Sequence, residues 1–232
     1  MTNPFTLTKE QYQELYKEVL TFSQIGGVAA DEDNLWKMCY EEFIEELNEA
    51  CAHKDKLAVI DAIADSFVVL VQLHHYYTSK PSWEFRDLFS VVDRTPTWAI
   101  KNKDTTFALN CMVHWESCAV FAANQYNFNL YKAIKEVNRS NMTKYPTLKS
   151  LVTRYRQDNK TNSEFLRLLA YKCEDFSDGK YKNVEAEIVF HSETDNDFHG
   201  KEYVIFRENF GKGKVCKPMW AFQEPNFEDC WL

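Results

Sequence analysis

Residues 32–77 read EDNLWKMCYEEFIEELNEACAHKDKLAVIDAIADSFVVLVQLHHYY, and this stretch decides the fold. Its first half, 32–53, repeats apolar residues at helical spacing: Trp36, Tyr40, Phe43, Leu47 and Ala50 share one stripe. At 100° per residue Glu42, Glu45, Glu46 and Glu49 share another. Four like charges so placed repel one another unless a cation or solvent lies over them. Its second half, 55–77, is apolar almost all round, which predicts a buried helix. Asp61 and Asp65 nevertheless stand one turn apart on one side of it, with Val68 and Gln72 extending the line. A carboxylate removed from water without compensation costs several kcal/mol. Compensation here means a distant Lys or Arg, a shared proton or a divalent cation. The few residues around His53-Lys54-Asp55 force the two helices antiparallel. The glutamate face can then lie opposite the aspartates. Carboxylates gathered without His or Cys describe a hard-cation site, Mg²⁺ or Mn²⁺ rather than zinc. Such an ion usually completes its shell with water and substrate phosphates, which points toward phosphoryl or nucleotidyl chemistry.

Outward from this pair the chain reads as mainly helical. Further helices are expected over 8–22, 105–124, 128–140, 147–158 and 162–173. Pro81 and Pro96 fall in a stretch, roughly 79–104, that reads as an insert of loops with one short helix. From Asp178 the period changes to two. Val184, Ala186, Ile188 and Phe190 alternate with polar residues, KEYVIFREN alternates again, and KVCKPMWAFQ supplies a third run. The division expected is a helical domain, 1–177, with a small antiparallel β appendage, 178–232.

Composition narrows the function. The chain has 232 residues, 45% hydrophobic and 27% charged, which is globular rather than disordered. A net charge of −8 disfavours a nucleic-acid polymer as partner. Six glycines leave little for a Gly-rich phosphate loop. Seven cysteines with no CxxC and no basic-then-apolar leader suggest reduced thiols in a cytoplasm. The apolar run Ala62–Leu73 reads as too short to span a bilayer, so no membrane is expected.

The string EExxEELxEA over 41–50, followed by DAxxD over 61–65, resembles the metal-binding core of the all-α nucleoside triphosphate pyrophosphohydrolases. That group includes MazG-type enzymes, phosphoribosyl-ATP pyrophosphatases and dimeric dUTPases. A second likeness is EVNRSNMTKY, 136–145, which is similar to the EVxRSNMSKF segment of MazG-like proteins common in bacteriophages and bacteria. The tail segments GKYKNV, GKGKVCKP and FQEPNF also resemble a C-terminal module of these proteins.

The resemblance implies an antiparallel helical bundle that holds one or two Mg²⁺ ions through Glu42, Glu45, Glu46, Asp61 and Asp65. It implies hydrolysis of NTP or dNTP to a nucleoside monophosphate and pyrophosphate, with Glu42 or Glu45 as proton acceptor. It also implies Arg139, Asn141 and Lys144 as substrate partners, and a homodimer or homotetramer in the cytoplasm (a host cytoplasm if the source is a phage). The chain departs from the pattern at Phe43, which occupies a usual ligand position when the strings are aligned on Glu46. Which of Glu42, Glu45 and Glu46 hold metal therefore stays open. Phosphoribosyl-ATP or a guanosine alarmone is an alternative substrate, and a non-catalytic helical interaction protein an alternative role.

Lesser features have plainer readings. Lys217 could reach a phosphate, though a solvated lysine explains it as well. Cys111, His114 and Cys118 have a zinc-like spacing but lie on an apolar face. His74-His75 reads as a helix end, and Phe22, Gln24 and Trp36 as core packing or a base contact.

Overall fold

The structure, a computed structural model, describes residues 3–27, 31–79, 95–155, 161–192, 200–208 and 215–232. It is mainly helical with a small two-stranded antiparallel sheet near the C-terminus. The chain forms two compact units, one of residues 1–23, 28–138 and 225–232, the other of 24–27 and 139–224.

In the first unit, α1 (Lys9–Ile25) opens on a reciprocal cap. The Thr8 hydroxyl accepts from Gln11 N at 3.2 Å, and the Gln11 amide oxygen accepts from Thr8 N at 3.0 Å. The acidic helix is three pieces end to end: α2 (Glu32–Cys39), a π-helical stretch (Tyr40–Glu46) and α3 (Leu47–His53). Asp31 caps its start. Lys54, at φ 55°, ends it in the left-handed region. Asp55 then accepts from Leu57 N and Ala58 N and starts α4 (Lys56–Thr78) two residues later. The tight link makes α3 and α4 antiparallel neighbours, as the spacing predicts.

Helix α4 is the axis of this unit. It packs against α2, the π stretch, α3 and, most extensively, α6 (Thr105–Tyr126). Trp115 of α6 is fully buried, and its indole N–H donates to Ile63 O at 3.0 Å and Ser66 Oγ at 3.2 Å. Its ring lies 4.9 Å from that of Phe67. At 23 residues α4 is long and apolar enough to cross a membrane, longer than the apolar run read from sequence. Its apolar surface is instead covered largely by the chain itself.

Of the insert, residues 80–94 lie outside the described residues, and α5 (Pro96–Lys101) is its short helix. Thr95 caps it and proline sits in its first turn. Helix α7 (Leu130–Met142) follows Asn127 and carries the division between units, which falls after Asn138. The last residues return to the first unit: Phe227 and Cys230 join its core, and Asn129 N donates to Cys230 O at 2.7 Å.

The second unit builds its own core from α8 (Leu148–Tyr155), α9 (Asn162–Asp175), β1 (Glu185–His191) and β2 (Lys201–Arg207). Leu151, Phe165, Leu169, Cys173, Val204 and Phe206 meet there. The strands pair from Glu185↔Arg207 to His191↔Lys201. A two-stranded hairpin is marginal by itself, and here α8 packs on β2 and α9 on β1. The β residues therefore share a core with two helices that the sequence division assigns to the helical domain.

The third alternating run does not extend the sheet. Val215 makes a single bridge to Arg207 and Cys216 N donates to Phe206 O at 2.8 Å. Pro218 then lacks an N–H to continue the ladder, and its carbonyl closes a turn with Ala221 N and Phe222 N.

Candidate functional site

Between Val59 and His74 every residue of α4 is buried except Asp61 and Asp65, which are half-buried. The two positions are one turn apart, so the same side of the helix is opened twice. The line continues through Val68 and Gln72. With Val69 beside them they are the thinnest-covered of the remaining residues, 5–8% exposed, where Ile60, Ile63, Phe67 and Leu70 are fully sealed. Asp61 Oδ1 is itself shut off from solvent. The hydrophobic helix thus meets water along one strip, and that strip begins with two carboxylates.

The glutamates are arranged differently from the periodic reading. A π-helix closes i→i+5 hydrogen bonds, so each turn takes in an extra residue and the 100° phase no longer holds over Tyr40–Glu46. The widened turns let Tyr40, Phe43, Ile44 and Leu47 all pack on the core, and Lys101 Nζ lies 4.8 Å over the Tyr40 ring. Phe43 is buried, Glu42 is half-buried, and Glu45, Glu46 and Glu49 are exposed. Glu42 is the one that looks inward. The Cys39 thiol, buried and donating to Val69 O at 3.6 Å, is pushed up by burial first, then by Cys111 and by the charge of Glu42. Glu41 pairs with Lys37 at 3.5 Å on the surface. The single acidic stripe expected over 42–49 is therefore split, with one acid turned toward α4's side of the helix and three toward water.

Among the described residues no three His, Cys, Asp or Glu side chains are grouped closely enough to hold a metal ion. Glu42, Glu45, Glu46, Asp61 and Asp65 do not form a ready-made cage. The donor chemistry still suits magnesium, which takes oxygen ligands and is usually held by one or two carboxylates plus substrate phosphates and water. Asp61 and Asp65 fit that lighter requirement.

The substrate partners named from sequence lie in the second unit. Arg139 is exposed and donates to Gln223 Oε1 at 2.8 Å and Glu224 O at 3.2 Å. Asn141 is buried and its Oδ1 accepts from Lys144 Nζ at 2.6 Å. Ser140 Oγ donates to Gln223 O at 2.8 Å, and Thr143 Oγ1 accepts from Gln223 N at 2.9 Å. In the first unit, Glu136 accepts from Asn226 N at 2.6 Å. The RSNMTK and FQEPNF segments are thus bonded partners, a link that no local pattern over 80 residues of separation could give. Lys217 Nζ sits 4.3 Å over the Phe222 ring.

Sequence reasoning passed over a second charged group in the first unit. Lys135 of α7 is 2.9 Å from Glu14 and also pairs with Glu18. Tyr131 donates to Glu14 at 2.7 Å, and Asn138 donates to Glu18 at 3.0 Å. Lys135 and Glu14 stand far apart in sequence, so only the packing of α1 beside α7 exposes this cluster.

His74 does not end its helix. It is fully buried with Nδ1 3.3 Å from the Tyr16 hydroxyl and 3.2 Å from Thr78 Oγ1, and burial lowers its pKa to about 4. Trp36 is core, donating to Tyr77 Oη at 3.2 Å, Phe22 is buried and Gln24 exposed. Of the zinc-spaced trio, Cys111 is buried and donates to Ala108 O at 3.2 Å, His114 stacks on Phe107 at 5.6 Å, and Cys118 is exposed.

No known family model matches this chain, and no curated protein or solved structure is similar to it.

Proposed function

We propose that the protein is a Mg²⁺-dependent nucleoside triphosphate pyrophosphohydrolase, converting NTP or dNTP to a nucleoside monophosphate and pyrophosphate. The observation that carries this reading is the opening of α4 at Asp61 and Asp65, two carboxylates on an otherwise sealed helix. Two carboxylates one turn apart at the edge of a buried helix are hard oxygen donors of the kind a divalent cation takes. The likeness of the EExxEELxEA, DAxxD and RSNMTK strings to the all-α pyrophosphohydrolases supplies the substrate class.

In this reading Asp61 and Asp65 would hold the ion, which when bound would supply charge neutralisation and make a water molecule more acidic. Water oxygen bonds to the α-phosphorus, the bond from it to the bridging oxygen breaks, and pyrophosphate leaves. Glu42 takes the water's proton, since of Glu42, Glu45 and Glu46 it is the half-buried one while the other two are exposed. Glu45 and Glu46, being exposed, contribute long-range charge rather than contact. Arg139, Asn141 and Lys144 are proposed for the substrate, and Arg139 would first have to exchange Gln223 and Glu224. A homodimer or homotetramer is proposed on the family likeness alone, and sedimentation velocity tests it; a monomer at every concentration would remove it.

One observation favours a non-catalytic scaffold instead: Phe43, 3% exposed, stands where the family pattern carries an acid. Incubation with each common NTP and dNTP plus Mg²⁺, with phosphoribosyl-ATP and a guanosine alarmone alongside, separates the readings. Pyrophosphate without orthophosphate from at least one nucleoside triphosphate is the expected result. No pyrophosphate from any of them would leave the scaffold reading standing.

A further inference from the structure

Toward the C-terminal end of α4, Oε1 of Gln72 and Nδ1 of His75 are among the buried polar atoms that make no hydrogen bond among the described residues. Gln72 as a whole is 8% exposed. A buried acceptor left without a donor costs about 1–3 kcal/mol, and native proteins keep few of them. Neighbouring His74 points its Nδ1 at Tyr16 and Thr78 on another side of the helix.

Placement gives the orphaned atoms a meaning. Residues 61, 65, 68, 72 and 75 fall within about 80° of one another around the helix. Gln72 and His75 therefore continue the strip that Asp61 and Asp65 begin. Seven residues separate Asp65 from Gln72, a rise of roughly 10 Å. That is on the scale of a sugar and base extending from a phosphate. Val68, apolar and thinly covered, lies between the two ends. Burial also lowers the His75 pKa and keeps the ring neutral, so it offers one donor and one acceptor.

We propose that Gln72 and His75 form a nucleobase subsite, the Gln72 carbonyl accepting an N–H from the base and His75 Nδ1 meeting the adjacent polar atom of the same edge. The ligand class is a nucleobase that presents an N–H donor on its hydrogen-bonding edge. The proposal rests on the pyrophosphohydrolase reading, with the phosphates at the aspartate end of the strip. A site built around a hydrogen bond to its ligand discriminates strongly against ligands that lack the group.

Two measurements test it. The first is kcat/KM over the eight common nucleoside triphosphates for the wild type and Gln72→Met, a swap of similar length that removes the acceptor. The spread between best and worst nucleotide is expected to shrink at least tenfold, mostly through KM. Thermal stability should be unchanged or higher, because a buried orphan has been removed. An unchanged rank order and spread would overturn the subsite. The second uses the wild type alone: titration with the corresponding phosphate-free nucleosides without metal, following the Gln72 side-chain amide by NMR. A saturable shift with at least one nucleoside supports the subsite even if no nucleotide is hydrolysed, in which case the hydrolase reading fails alone. No shift with any nucleoside overturns the subsite whatever the catalytic result.

Discussion

Two acidic segments of the same unit, Glu41–Glu49 and Asp61–Asp65, carry similar chemistry in opposite surroundings. The glutamates belong to a helix whose middle is widened into π turns, so that apolar residues take the inward positions and most of the acids face water. The aspartates belong to a regular α-helix sealed by its neighbours, where they are the exceptions to burial. A carboxylate in water is comfortable without a ligand and says little about function. A carboxylate at a break in a buried helix is held where a ligand can use it in a low-dielectric setting. The difference ranks the acids: Asp61 and Asp65 first, Glu42 next, Glu45 and Glu46 last.

The largest effect expected concerns what seals α4. Trp115→Ala removes the fully buried indole that bonds Ile63 and Ser66, and should cost about 3–5 kcal/mol in urea unfolding. A loss under about 1 kcal/mol would mean α4 is not the buried axis on which the contrast depends. Next is Asp65→Asn, expected to lower pyrophosphate release by at least about a hundredfold with helical circular dichroism unchanged. Activity kept within a few-fold would remove Asp65 from the site.

A pH effect of roughly 3 kcal/mol sharpens the buried side of the comparison. His74 has its folded pKa lowered to about 4 by burial, while the unfolded residue titrates near 6.5. Between those values the unfolded chain binds the extra proton. Stability is therefore full above about pH 6.5, falls as pH drops toward 4 and then levels. His74→Gln should flatten that slope in thermal melts, and an equally steep slope in the variant would contradict the assignment. The smallest effect is expected from Glu46→Gln, less than about threefold in turnover, because an exposed charge is screened by solvent. A loss as deep as that of Asp65→Asn would erase the ranking.

These contrasts also mark what the amino-acid order could tell. The all-round apolar pattern of 55–77 is enough to place α4 in the core, and the helix read over 8–22 is found as α1. Gln72 was already visible on the aspartate line; its unsatisfied carbonyl was not, since that depends on what surrounds it. The π stretch was illegible because a 100° template assumes the α repeat, and nothing in YEEFIEE announces an extra residue per turn. KVCKPMWAFQ alternates like a strand, yet Pro218 turns it aside. The bonds of Ser140 and Thr143 to Gln223, and of Lys135 to Glu14, join segments far apart in sequence, beyond any local pattern.

The most direct measurement is calorimetric titration of Mg²⁺ into the protein saturated with a non-hydrolysable nucleoside triphosphate analogue, wild type against Asp61→Asn/Asp65→Asn. Jointly held magnesium predicts binding that weakens at least tenfold in the double variant while its fold persists. Equal magnesium affinity in the two proteins would contradict the aspartate pair as the seat of the chemistry.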